Sequence, residues 1–155
     1  VESYLYGGIS RVILGSAAVK DPALVKAAVK EYGGRIAVGI DAKDGMVAVD
    51  GWLEGSAVHF LDLAREMEAV GVKTVIFTDI SRDGTLTGPN LAQLRELKEN
   101  TSVQIIASGG VSGPQDIRAV RELGLYGVIC GKALYQGTLS LSEALEIAKE
   151  DKCRS

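Results

Sequence analysis

Residues 128–134, Val-Ile-Cys-Gly-Lys-Ala-Leu, nearly repeat residues 12–18, Val-Ile-Leu-Gly-Ser-Ala-Ala. Each copy is a short apolar run closed by a glycine and a small polar or basic residue, and each leads toward a helix. A buried strand that runs into a helix N-terminus presents backbone N–H groups and the positive end of a peptide dipole, a combination suited to phosphate. Two such turns related by an internal repeat predict a ligand with a phosphate at each end. The chain opens at Val1 in what reads as the end of a helix, which predicts further sequence upstream.

The bulk properties narrow the function classes. The 155 residues can build a real core. Their 46% hydrophobic, 24% charged and 5% aromatic content is that of an ordinary globular chain. The formal charge of −3, without a basic cluster, argues against nucleic acid as a partner. No apolar stretch approaches the roughly 20 residues of a membrane helix, and these residues hold no charged-then-apolar pattern, so secretion is not expected. Cys130 lies in an apolar run and Cys153 in a polar tail, with neither metal-ligand spacing nor a disulfide framework, which predicts a reducing cytoplasm. His59 is the sole histidine, so a zinc site or a histidine-based nucleophilic triad finds no support.

Five apolar runs recur at 11–14, 36–40, 74–77, 103–107 and 127–130. They are continuous rather than alternating, the pattern of strands buried on both faces of a parallel sheet. Between them lie amphipathic stretches at 22–32, 56–70, 91–99, 114–123 and 142–149. Asp21-Pro22 supplies an N-cap and first-turn pair for the first, and Gly71 and Gly124 close two others. Repeated strand, loop and helix define the α/β class, read here as one domain over 1–155 with a polar tail at 150–155. The unusual residues all follow the strands: Gly15-Ser16, Asp41 to Gly45, Thr78-Asp79, Ser108-Gly109-Gly110 and Gly131-Lys132. An open doubly wound sheet gathers its ligand at one switch point, whereas a barrel builds its site from every strand's C-terminal loop. The distribution favours a partial (β/α)8 TIM barrel of about five parallel units, short of the eight that close a ring.

Six stretches in order carry a family resemblance: Arg-Val-Ile-Leu-Gly-Ser-Ala-Ala (11–18), Val-Gly-Ile-Asp-Ala-Lys-Asp-Gly (38–45), Val-Asp-Gly-Trp (49–52), Phe-Thr-Asp-Ile-Ser-Arg-Asp-Gly-Thr-Leu (77–86), Ala-Ser-Gly-Gly-Val (107–111) and Val-Ile-Cys-Gly-Lys-Ala (128–133). From about residue 8 to residue 149 the chain resembles the phosphoribosylformimino-5-aminoimidazole carboxamide ribotide isomerases of histidine biosynthesis, over barrel units four to eight. Their first three units have no counterpart in it. The cyclase subunit of imidazole glycerol phosphate synthase is the neighbouring alternative, but it usually carries a longer insertion after the position of Asp41. The bifunctional variant that also isomerises phosphoribosyl anthranilate typically has an arginine beside the loop tryptophan, where this chain has Gly51-Trp52-Leu53.

The resemblance implies an Amadori rearrangement, aminoaldose to aminoketose, on a small-molecule substrate with two phosphates and without a metal or organic cofactor. Asp41 matches the general acid, Thr78 a residue beside the reacting ribose, and Asp83 a substrate contact. Ser108, Gly109, Gly110, Gly131 and Lys132 match one phosphate site, and Gly15-Ser16-Ala17 half of the other. Trp52 matches a mobile-loop residue that covers the substrate. The general base belongs to the absent first strand, so the chain alone is expected to be inactive or impaired. Plainer readings stand beside these. Asp41 and Asp83 suit turns, the glycines permit tight bends, Trp52 could anchor a core, and Lys132 could reach into solvent along the surface. A non-catalytic fragment that binds phosphate and self-associates, or that meets a separate chain carrying the missing units, is the alternative function. The repeat further predicts two phosphate turns in pseudo-twofold relation around one mouth.

Overall fold

A computed structural model describes residues 1–49 and 54–150. All five apolar runs form parallel strands: β1 (Val12–Leu14), β2 (Ile36–Lys43), β5 (Thr74–Asp79), β6 (Gln104–Ser108) and β7 (Gly127–Val128). Their spatial order is β1-β2-β5-β6-β7, each parallel to its neighbour. Between β2 and β5 in the chain, a hairpin of β3 (Met46–Val49) and β4 (Glu54–His59) extends antiparallel from the end of β2. Because β1 and β5 both pair with Val38, and β3 and β5 both pair with Ala42, β1 and β3 share one edge of β2 at its opposite ends.

Helices cover one face of the sheet: α3 (Pro22–Tyr32), α4 (Phe60–Ala69), α5 (Leu91–Asn100), α6 (Pro114–Glu122) and α8 (Leu141–Lys149), with short α1 (Glu2–Tyr6), α2 (Ala17–Lys20) and α7 (Lys132–Tyr135) at strand ends or the N-terminus. Local chemistry explains their starts. Asp21 Oδ1 accepts from Leu24 N at 3.0 Å with Pro22 in the first turn, and Asn90 and Ser140 cap α5 and α8 in the same way. The expected helix over 56–70 is shorter than its apolar spacing suggests. Residues up to His59 are drawn into β4, and α4 starts at Phe60, where His59 Nδ1 accepts from Leu61 N at 3.3 Å. The β3–β4 hairpin was not expected; Asp44 and Gly45, with φ of +51° and +79°, turn the chain back so that Met46 and Val47 pair with Lys43 and Ala42 at the overhanging end of β2.

Period-two alternation divides the strand residues between two faces. Val38, Ile40, Val75, Phe77, Ile105 and Ala107 meet Val25, Leu63, Met67, Leu94 and Leu97 in the main core. A smaller cluster under α6 to α8 holds Val111, Ile117, Ala133, Leu139, Ala144 and Ile147. The opposite face carries Gly39, Asp41, Ile76, Thr78, Ile106 and Ser108, and no described helix covers it. There Ile13 is 56% and Ile129 45% exposed. The sheet is therefore an incomplete barrel wall: helices outside, the lumen side open, and β1 and β7 each with one described strand partner.

Candidate phosphate site

Parallel pairing aligns Asp41 with Thr78, and Thr78 with Ser108. Since their sequence neighbours Ile40, Ala42, Phe77 and Ala107 belong to the core, these three residues form a polar row on the lumen face, at the C-terminal ends of β2, β5 and β6. Adjacent strands lie about 4.8 Å apart, so the row spans roughly 10 Å. Thr78 is buried, while Asp41 and Ser108 are half-buried.

Beside the row is a cavity of about 90 Å³ lined by Asp83, Gly84, Ser108, Gly109, Gly110, Gly131 and Lys132, with Leu86, Val111 and Ile129 as its apolar wall. That volume holds several water-sized groups, the scale of a tetrahedral oxyanion rather than of a whole nucleotide. Three loops meet here from distant parts of the chain. Gly109 and Gly110 take φ of +88° and +82°, a conformation only glycine adopts freely. A Cβ on Gly110 would collide with the Gly88 carbonyl, and one on Gly109 would sit 3.1 Å from the Asp79 carbonyl oxygen. Among the described residues no carbonyl accepts from the amides of Gly109, Gly110 or Gly131. Unpaired amides around a small cavity are the donor set that anions take.

Lys132 is exposed, as the plainer reading expects, but its ammonium does not point free into solvent: Nζ donates to the Gly84 carbonyl at 2.8 Å. Asp83 lies at the exposed rim. Gly15 and Ser16 follow β1, on the far side of the sheet from β7. Because all five strands are parallel, the Gly15-Ser16 and Gly131-Lys132 turns emerge at the same end of the sheet. Trp52 lies outside the described residues. Thus six of the eleven sequence-derived residues line one cavity, Asp41 and Thr78 stand beside it, and Gly15 and Ser16 are held apart.

Sequence reasoning missed what organises the segment 80–90. Asp79, at the end of β5, is 6% exposed. Its Oδ1 accepts from Ser81 N at 3.0 Å and Ser81 Oγ at 2.6 Å, its Oδ2 accepts from Asn90 Nδ2 at 2.7 Å, and Arg82 Nε stands 3.8 Å away. Burial alone would raise the Asp79 pKa. The hydrogen bonds from the Ser81 hydroxyl, Asn90 and the Ser81 amide, with the Arg82 charge, outweigh it and hold the carboxyl below the ordinary 3.8. The spacing Asp79-Ile80-Ser81 was the available signal, because a carboxylate two residues before a serine commonly accepts from its backbone. Among the described residues no cluster of three His, Cys, Asp or Glu side chains could hold a metal ion, and no helix is long and apolar enough to cross a membrane.

An open wall of parallel β/α units, with a small amide-lined cavity at the strands' C-terminal ends, defines an α/β protein of the TIM-barrel class. The chain belongs to the family described as histidine biosynthesis protein, whose sequence model matches residues 1–140. Among its relatives, an enzyme of Listeria innocua named 1-(5-phosphoribosyl)-5-((5-phosphoribosylamino)methylideneamino)imidazole-4-carboxamide isomerase is 58% identical over 147 residues, covering 95% of this chain and 61% of the relative. A Listeria monocytogenes serotype 4a protein of the same name is 59% identical with the same coverage. One from Clostridium botulinum strain Langeland is 47% identical over 154 residues, covering 99% of this chain and 64% of the relative. The chain therefore spans about three fifths of the length of these curated relatives.

Proposed function

We propose that this chain supplies the acid-bearing and phosphate-holding portion of an aldose–ketose isomerase that rearranges a bis-phosphorylated aminoaldose to its aminoketose in histidine biosynthesis. The observation that carries this reading is the meeting of Gly109, Gly110, Gly131 and Lys132 around one oxyanion-sized cavity, next to the Asp41–Thr78–Ser108 row. A phosphate in the cavity accepts from the unpaired amides and fixes the ribose end of the substrate along the lumen face. Asp41 then delivers a proton to the furanose oxygen as the ring opens, with Thr78 beside the ribose. Ring opening leaves C1 as an iminium; a second carboxylate removes the proton from C2 to give an enolamine, and return of a proton to C1 with loss of the enol hydroxyl proton completes the ketone. Asp79 is unsuited to that second role: it follows Phe77 on the helix-covered face, and three hydrogen bonds occupy it. Gly15 and Ser16 contribute to the distal phosphate site, Asp83 contacts substrate, and Trp52 closes over it. The chain acts as a single domain in the cytoplasm, where a free thiol such as Cys130 persists.

A second reading rests on a separate observation. Ile13 and Ile129 are exposed on the lumen face, and β1 and β7 each have one described partner, so the chain alone offers surfaces that a second copy would cover. In that case the chain binds phosphate without turnover. Titration calorimetry with inorganic phosphate, followed by chromatographic assay of aminoaldose conversion by the chain mixed with the first three units of a relative, which carry the second carboxylate, tests both readings. Binding with conversion that Asp41→Asn lowers by about 10²- to 10⁴-fold supports the isomerase. Binding without conversion, in a particle of whole-number multiples of one chain, supports the second reading. Absence of phosphate binding refutes both.

A further inference from the structure

Asp79 occupies an unusual position for a carboxylate that contacts neither the proposed acid nor the cavity. It ends β5 directly after Thr78, and the next residue, Ile80, donates from its amide to the Ala42 carbonyl at 2.9 Å, beside Asp41. Its carboxylate is buried and gathers both ends of the segment 80–90: Ser81 at the start, through amide and hydroxyl, and Asn90 at the finish. Arg82, the ion-pair partner of Asp79, also donates from Nη1 to the Gly88 carbonyl at 3.2 Å. The segment so drawn together is fastened to the cavity in two places. Gly88 N donates to the Gly110 carbonyl at 2.7 Å, and Lys132 Nζ to the Gly84 carbonyl at 2.8 Å.

From this we infer that Asp79 is a positioning residue for phosphate binding: its carboxylate closes residues 80–90 into a strap that holds the Gly109-Gly110 turn and Lys132 in place around the cavity. The inference rests on the phosphate reading above and names the group that sets the site's shape. The physical reason is preorganisation. An amide cradle binds an anion well only if its donors are already aimed, since ordering them on binding subtracts from affinity. The strap supplies that order through charge-assisted hydrogen bonds, which are stronger than neutral ones. A carboxamide at position 79 keeps an acceptor for one side but turns its NH2 toward the donors of the other, Ser81 or Asn90, so part of the closure is lost even though size is conserved.

The test compares Asp79→Asn, Ser81→Ala and, as a control, Val25→Ala, which removes core volume under α3 far from the strap. Inorganic phosphate affinity is measured by calorimetry, amide hydrogen exchange across residues 80–90 by mass spectrometry, and Tm by calorimetry. Expected are a roughly tenfold weaker phosphate affinity in Asp79→Asn, the equivalent of about 1.4 kcal/mol, and a smaller loss in Ser81→Ala. Exchange in 80–90 speeds up in both, while Val25→Ala lowers Tm and leaves phosphate affinity unchanged. If Asp79→Asn does not fold, Ser81→Ala carries the test, because Ser81 is exposed and gives only its hydrogen bond. Wild-type phosphate affinity in both variants overturns the inference, as does an equal loss in Val25→Ala. Should the wild type bind no phosphate, the functional reading fails instead, and unchanged exchange across 80–90 in the variants then overturns the strap on its own.

Discussion

Substituting Gly110 by alanine probes the tightest point of the proposed site. Gly110 has φ of +82°, and a left-handed conformation costs a residue with a Cβ about 1–2 kcal/mol. The new methyl group meets the Gly88 carbonyl and lies 3.1 Å from Arg82 Cβ. That carbonyl cannot retreat freely, because Arg82 Nη1 holds it at 3.2 Å and the Gly88 amide is bonded to Gly110 itself. Breaking the Gly88–Gly110 hydrogen bond adds about 1 kcal/mol. The expected total is about 2–3 kcal/mol, which for a chain of this length lowers Tm by roughly 4–12 °C. Phosphate affinity falls with it, because the turn that carries two of the free amides is displaced. Differential scanning calorimetry with and without phosphate measures both. Gly15→Ala is the control: its φ is outside the left-handed region and nothing lies within 4 Å of the added Cβ, so Tm should barely move. A Gly110→Ala protein with wild-type Tm and wild-type phosphate binding would falsify the placement of the 109–110 turn against the strap.

Three further outcomes are expected. Phe77 is fully buried, 5.0 Å from Phe60 between ring centroids, so Phe77→Ala should cost about 3–5 kcal/mol by chemical denaturation, and a loss under about 1 kcal/mol would contradict the core described. Asp79 has a depressed pKa, so its stabilisation is complete above the ordinary value of 3.8 and disappears as pH falls through its own lower value. The Tm difference between wild type and Asp79→Asn should therefore shrink as pH drops from about 5 toward 2, and a gap that widens on acidification would reverse the sign argued here. Burial pushes the Cys130 thiol above its ordinary 9.0, so iodoacetamide at neutral pH should label the Cys130 peptide more slowly than a free thiol in solution; labelling at the free-thiol rate would show an open strand end.

Much of the fold was legible because buried parallel strands leave a strong mark. The runs Ile-Ala-Val-Gly-Ile (36–40) and Thr-Val-Ile-Phe (74–77) hold no charged residue, and both became central strands with only their C-terminal ends extended. Helix α3 was readable to the residue, since Asp21-Pro22 opens it and Gly33 follows it. The β3–β4 hairpin was passed over although a signal for its start stood in the sequence. Asp44-Gly45, with φ of +51° and +79°, is a two-residue hairpin turn, and Met46–Val49 becomes a strand because β2 runs on past β1 and offers that edge at Ala42 and Lys43. The cavity was legible in part for the same reason that motifs work: Gly109-Gly110 and Gly131-Lys132 each mark a backbone that must come close to something.

What the sequence determined by itself is the α/β class, the parallel order of strand and helix, and the identity of the residues at strand ends, all properties written in local spacing and side-chain type. Gly131 and Lys132 beside Gly109 and Gly110, with Gly15 and Ser16 at the other side of the sheet, is a grouping that the family resemblance implied and that local spacing did not carry. Only the tertiary structure turned Lys132 back onto Gly84 and made Asp79 the centre of a strap rather than a free acid. Neither outcome follows from spacing, because a hydrogen bond between residues 48 positions apart depends on how the sheet brings their strands together, and local sequence carries no record of that distance.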